Sequence, residues 1–183
     1  MMKSILATTS LLLIALTCLA QTQYEPTETI EGIRVIASVA HPNHYLSLDN
    51  GEFFGSTYGD QGKVEVTQEI GSHEVFEIKQ VSEGIYAIAS TDVKERYLQV
   101  DGSQVKPESK EPGGRVVIQV FVGRYERFKI EPQKDGSFTI ESINFPGRYL
   151  HMSQDKVQVS SKVGKEERFW LLEKKFKTGI APR

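Results

Sequence analysis

An all-β domain made of three copies of one four-stranded unit is what this sequence predicts, on three observations. First, a fixed shift of 52 residues relates Tyr45-Leu46 to Tyr97-Leu98 and Tyr149-Leu150. The same shift relates Ser38, Ser90 and Ser142, then Ile36, Ile88 and Ile140, then Gly32, Gly84 and Gly136. Second, each copy alternates apolar and polar residues and is rich in β-branched or aromatic types, the mark of half-buried strands. Third, no stretch after residue 20 keeps a helical period. One spacing held across so many residue classes is an internal repeat.

Four strands are expected in each copy. The first is carried by "IRVIASV", "IYAIAST" and "FTIESIN", and the second by "HYLSLD", "RYLQVD" and "RYLHMS". The third is carried by "KVEVTQE", "VVIQVF" and "KVQVSS", and the fourth by "EVFEIKQ", "ERFKIEP" and "RFWLLEK". Asn50-Gly51, Asp101-Gly102, Asp135-Gly136 and Pro112-Gly113 signal tight reversals between them. Glu74, Phe76 and Ile78 repeat as Glu126, Phe128 and Ile130, and the third copy, shorter by 11 residues, brings Glu167 and Phe169 early. Solenoid repeats are usually shorter, and a propeller takes about 4 to 8 blades. The prediction is therefore a β-trefoil, a six-stranded barrel capped by three hairpins. Ile36, Ile88, Ile140, Phe76, Phe128 and Phe169 should share its core, and Tyr45, Tyr97 and Tyr149 should also turn their rings inward.

Residues 1–20, "MMKSILATTSLLLIALTCLA", read as a secretory signal peptide: an early Lys3, an apolar run from Leu11 to Leu16, and a small-x-small end at Cys18 and Ala20. The apolar run is well short of the ~20 residues a membrane span requires. The remainder divides into a flexible acidic lead-in at 21–31, the domain at 32–175 and a loose tail at 176–183. Cys18, the one cysteine, lies in the signal, so the domain must hold together without disulfides. A chain of about 160 residues can do so, since it buries roughly 70% of its unfolded surface. A secreted monomer is expected, with neither a membrane span nor a nucleic-acid partner.

Little points to catalysis. His41 and His44 in "HPNH" read as exposed turn histidines, and no metal site or cofactor is expected. Ser72 and His73 are adjacent, as are Glu166 and Glu167; on an extended strand such neighbours face opposite sides and cannot act together. A non-enzymatic protein is expected.

Charge breaks the threefold pattern. Residues 21–80 carry three Lys/Arg against ten Asp/Glu, whereas residues 145–183 carry nine against four. Lys156, Lys162, Lys165, Arg168, Lys174 and Lys175 make the third copy basic, a candidate site for a polyanion or another partner. The alternative is a solvated face that keeps the domain soluble.

The Tyr-Leu pair, the following alternating strand and the Glu-x-Phe-x-Ile/Leu element resemble the fascin-like repeat across about 145 residues, which implies the fold. Actin bundling by fascins is cytosolic and does not follow for a chain with an export signal. "ESINFPGRYL" resembles the signature of interleukin-1-type cytokines, carried by Glu141, Ser142, Pro146, Tyr149 and Leu150. It also resembles arabinose-binding trefoil modules. The first resemblance implies a ligand for an extracellular receptor, and the second implies a carbohydrate-binding protein. The receptor ligand is the leading expectation and the lectin-like protein the alternative. Secreted material should begin at Gln21, and mass spectrometry that finds Cys18 retained would contradict this processing.

Overall fold

The computed structural model describes residues 23–49, 63–102, 105 and 108–175. Residues 1–20, read above as a signal peptide, residues 176–183, read as a tail, and the expected turn at Asn50-Gly51 lie outside the described residues.

All twelve expected strands form. The first lobe holds β2 (Gly32–Ser38), β3 (Tyr45–Asp49), β4 (Lys63–Thr67) and β5 (Val75–Ser82). The second holds β6 (Ile85–Ser90), β7 (Tyr97–Asp101), β8 (Arg115–Gln119) and β9 (Phe128–Pro132). The third holds β10 (Phe138–Ser142), β11 (Tyr149–Met152), β12 (Val157–Ser160) and β13 (Phe169–Lys175). The first and fourth strands of the lobes close a ring of antiparallel pairs: β2 with β5, β5 with β6, β6 with β9, β9 with β10, β10 with β13, and β13 with β2. Closure removes the exposed edges that an open sheet would leave. The second and third strands form three hairpins, β3–β4, β7–β8 and β11–β12. The hairpins meet through Lys63↔Val117 and a bridge between Gly113 and Val159.

The threefold core is as the repeat predicts. Ile36, Ile88 and Ile140 are fully buried, and Phe76, Phe128 and Phe169 pack in the same cluster. The tyrosines differ from expectation. Tyr45, Tyr97 and Tyr149 are only half-buried, while Leu46, Leu98 and Leu150 are buried. Neighbours on a strand point to opposite faces, so Tyr and Leu cannot both turn inward, and the purely apolar chain takes the core.

A thirteenth strand corrects the flexible reading of the 21–31 lead-in for its described part, from residue 23 onward. β1 (Gln23–Pro26) pairs with β13, from Gln23↔Lys175 to Pro26↔Leu172. Pro26 ends it, at the position where a strand tolerates a missing donor. The connection to β2 is tied by buried Arg34, which donates through Nε to Thr29 O (3.1 Å), through Nη2 to Thr29 Oγ1 (2.6 Å), and also to Glu31 O. Ile30 packs on the core. Acidic and polar composition hid a segment whose order comes from a partner strand far away in sequence.

Truncating Phe128 to Ala should cost about 3 to 5 kcal/mol, the usual loss for a buried aromatic. Truncating Phe121, which is 66% exposed, should stay within about 0.5 kcal/mol. Urea denaturation of both variants checks the difference.

Candidate functional site

Three buried glutamates set the loops between the third and fourth strands. Gly71 N–H donates to Glu74 Oε2, Gly123 N–H to Glu126 Oε2, and Gly164 N–H to Glu167 Oε2, each at 2.7 Å. A Cβ on any of these glycines would stand 3.0 to 3.3 Å from the carboxylate it serves, so close approach favours glycine here. The residue before each glutamate is pinned by its own carbonyl. Leu48 N–H donates to His73 O (3.0 Å), Val100 N–H to Tyr125 O (3.3 Å) and Met152 N–H to Glu166 O (2.9 Å).

Three buried serines do the same for the loops after the first strands. Ser38 Oγ accepts from His41 N–H (3.2 Å), Ser90 Oγ from Val93 N–H (3.3 Å) and Ser142 Oγ from Phe145 N–H (3.3 Å). Each lobe thus presents one residue ahead of its glutamate, and the next lobe presents one residue three beyond its serine. These presented pairs meet at the junctions between lobes. The scaffold repeats, and the side chains it presents do not.

At the second–third junction the pair is Tyr125 and Phe145, with ring centroids 6.0 Å apart and planes tilted by 42°. The outward face of β7 adds Gln99 and Asp101, and Gly102 completes the floor. Together these residues line a cavity of about 410 Å³, within the range of small-molecule sites. Arg124 lies over the Tyr125 ring at 4.8 Å and donates to its hydroxyl at 2.9 Å, which holds the ring in place. At Gly102 a Cβ would come within 2.2 Å of Phe145 Cζ, so glycine lets the second ring settle against β7.

The other junctions carry histidine–carboxylate contacts. At the first–second junction, His73 Nε2 stands 3.3 Å from Asp92 Oδ2, and Val93 occupies the place of a ring. At the third–first junction, His41 Nε2 stands 3.2 Å from Glu166 Oε1. Beside it His151, 5% exposed, holds Glu167 Oε1 at 2.7 Å through Nδ1, with Glu166 Oε2 4.0 Å away. Glu167 being a carboxylate, Nδ1–H is the donor.

Several sequence readings change here. Ser72-His73 and Glu166-Glu167 lie in turns, not strands, so the alternation that kept the two carboxylates apart does not apply. Both converge on His151. His41 and His44 are half-buried rather than exposed: His41 pairs with Glu166, and His44 Nδ1 lies 2.9 Å from Pro42 O. The six basic candidates are spread along three segments. Lys156 lies in the β11–β12 turn, and Lys162, Lys165 and Arg168 lie between β12 and β13. Lys174 and Lys175 end β13 beside β1. Arg168 binds Asp135 at 2.7 Å and Lys175 bonds to Glu173. None of the six lines the cavity.

No protein-family model matches the chain, and neither does any curated protein. Solved structures do. The chain is similar to the designed threefold-symmetric protein ThreeFoil at 17% identity, with a TM-score of 0.61 over 78% of this chain and 99% of that one. The chain adopts the β-trefoil fold. SeviL, solved bound to asialo-GM1 saccharide, is similar at 12% identity and TM-score 0.58, over 78% of this chain and 97% of that one. The Polyporus squamosus lectin, solved bound to a human-type influenza-binding epitope, is similar at 16% identity and TM-score 0.58, over 78% and 49%. The trefoil also matches part of a mosquitocidal holotoxin, spanning 17% of that longer chain at 16% identity and TM-score 0.61.

Glu126 and Glu167 titrate in opposite directions. Burial raises Glu167, but the hydrogen bonds from His151, Gly164 and Ser160 outweigh it, and its pKa falls below the usual carboxylate range. For Glu126 burial dominates over the Gly123 N–H bond, and its pKa is raised. A depressed carboxylate adds stability that is present above its unfolded value and lost as pH falls through the folded one. A raised carboxylate adds stability that is present below its unfolded value and lost as pH rises through the folded one. Glu167→Gln should therefore cost about 1 to 3 kcal/mol at pH 7, a gap that closes on acidification. Glu126→Gln keeps an acceptor for Gly123 and should be neutral or stabilising at pH 7. Thermal midpoints measured from pH 3 to 7 check both signs.

Proposed function

We propose that this trefoil is a secreted, non-enzymatic carbohydrate-binding protein whose site is the cavity between the second and third lobes. The observation that carries the reading is the composition of that cavity: two adjacent aromatic rings beside one carboxylate and one amide. A sugar ring has an apolar C–H face and a polar rim. Tyr125 and Phe145 offer aromatic faces for the first. Asp101 can accept from vicinal hydroxyls, and Gln99 can both donate and accept. Glycosidic hydrolysis generally uses two carboxylates flanking the bond, and the lining supplies one, which supports binding without turnover. Secretion rests on the leader-like residues 1–20. SeviL and the Polyporus squamosus lectin, solved with saccharides, add weight from the same fold.

The receptor-ligand reading rested on "ESINFPGRYL", and these residues have internal duties that explain their pattern. Glu141 Oε1 accepts from Gly147 N–H (2.7 Å), Ser142 Oγ from Phe145 N–H, and Arg148 O from Ser142 N–H (2.8 Å). The last of these bonds recurs at Ser38 and Ser90. A shared turn accounts for the segment without a receptor.

A glycan array probed with protein starting at Gln21 should show saturable binding. Tyr125→Ala should weaken it at least about tenfold, the equivalent of ~1.4 kcal/mol. Gly102→Ala should weaken it by pushing the Phe145 ring out of place, and a thermal melt separates that effect from loss of the fold. An array without binding, together with capture of a single cell-surface protein, would return the receptor-ligand reading to first place.

A further inference from the structure

We infer that the site between the second and third lobes selects a sugar that carries a carboxylate, because Arg124 is fixed at its edge and pairs with no carboxylate among the described residues. The inference rests on the carbohydrate-binding reading and adds the class of sugar.

Arg124 is exposed, yet it is held in place. Its Nη2 donates to the Tyr125 hydroxyl oxygen at 2.9 Å, and its guanidinium carbon stands 4.8 Å from the centre of that ring. The bond uses one of the five N–H donors that a guanidinium carries. The phenol oxygen, having accepted from Arg124, keeps its own hydrogen to donate. A cation and an O–H donor therefore stand side by side at Tyr125, which itself lines the cavity. Ser72 and Lys165 hold the place of Arg124 in the other lobes, and they are followed by His73 and Glu166, not by a phenol.

The nearby carboxylates have other neighbours. Asp101, in the lining, is already engaged within the protein, and Arg115 is its cross-strand partner on β8. Opposite residues of an antiparallel pair share a face, so this negative group has a positive one beside it. Glu126 is buried, accepts from Gly123 N–H and feels the charge of Arg127. Arg124 is left over. A neutral sugar would use the two rings and the Gln99 amide and leave that guanidinium idle. A carboxylate at the Tyr125 edge can accept from Arg124 and from the hydroxyl together, and hydrogen bonds with an ionised partner are roughly twice as strong as neutral ones. Stacking already orders the guanidinium, so little side-chain freedom is lost on binding. Uronic and sialic acids share this chemistry, a carboxylate on a ring with an apolar face.

The test is calorimetry on the protein starting at Gln21, with methyl glycosides of glucuronic acid and of N-acetylneuraminic acid, each as free acid and as methyl ester. At least one free acid should bind about tenfold or more tighter than its ester, and the tighter acid names the source. Added salt should weaken the acid and spare the ester, because exposed charge is screened within about 10 Å at 0.1 M. Arg124→Gln keeps a donor for the Tyr125 oxygen and removes the charge, so the acid-to-ester ratio should fall to about one. Arg127→Gln, an exposed cation of the same loop, should leave the ratio as in the parent. Equal binding of acid and ester would overturn the inference while leaving the carbohydrate-binding reading in place. So would a ratio that survives Arg124→Gln or falls as far in Arg127→Gln. Binding of neither acid would also overturn it, and the carbohydrate-binding reading falls with it only if the glycan array is blank too. A thermal melt shows that each variant is folded, and the comparison of acid with ester in the parent stands without any variant.

Discussion

The bond from a glycine N–H to a buried glutamate, repeated at Glu74, Glu126 and Glu167, is the constraint on which the functional geometry depends. A carboxylate withdrawn from water is costly unless donors reach it. Each glutamate meets that cost by drawing its own loop tight, which fixes the residue just before it at the edge of the lobe. A buried serine fixes the facing residue of the next lobe by the same logic. Two polar anchors per repeat thus convert a symmetric barrel into three defined junctions. The apolar core sets how the lobes sit on one another, and the anchors set what they present.

Because the anchors act through backbone groups, the presented side chains are free to diverge. That freedom explains how a frame with one register can carry a tyrosine, a histidine and a glutamate at the same place. It also separates stability from function. The core residues Ile36, Ile88, Ile140, Phe76, Phe128 and Phe169 are interchangeable in role. The junction residues are not, and a change among them alters chemistry without reaching the core. Arg148 of the third lobe donates through Nη1 to Ser109 O at 2.9 Å, a bond between lobes that no repeated position supplies.

The fold was legible because its signal is redundant. Four residue classes share one spacing, and twelve strands follow from alternation and turn residues. Inference stopped where the repeat stopped. Reading recurring positions finds what the three lobes share, whereas the site is made of the positions that fail to recur: Tyr125 against His73 and Glu166, Phe145 against Val93 and His41. Each stands beside a recurring Glu or three beyond a recurring Ser, so the signal was present one step away from the residues being compared. Alternation misled at Glu166-Glu167, because a turn brought together two carboxylates that a strand would have separated. It was set aside at Tyr45-Leu46, where it would have sent the tyrosine outward. β1 was invisible for another reason. Its order depends on pairing with β13, and no local pattern encodes a partner about 150 residues away.

The opposite titration of Glu126 and Glu167 follows from the donors around each carboxylate. Glu167 gains donors from His151 and Ser160, so the junction it supports is strengthened by the same side chains that fill it. Thr67, the counterpart of Ser160 in the first lobe, stands 3.3 Å from Glu74 Oε1 and donates over a shorter distance, 3.0 Å, to Glu69 O. The second lobe has Gln119 at this place, and its amide oxygen accepts from Val120 N–H at 2.9 Å instead of serving the glutamate. Glu126 therefore relies on backbone N–H groups and the charge of Arg127, and its carboxylate is less well stabilised than that of Glu167. The same glutamate–glycine bond is thus kept in two lobes with different supporting donors, and the two carboxylates titrate apart for that reason.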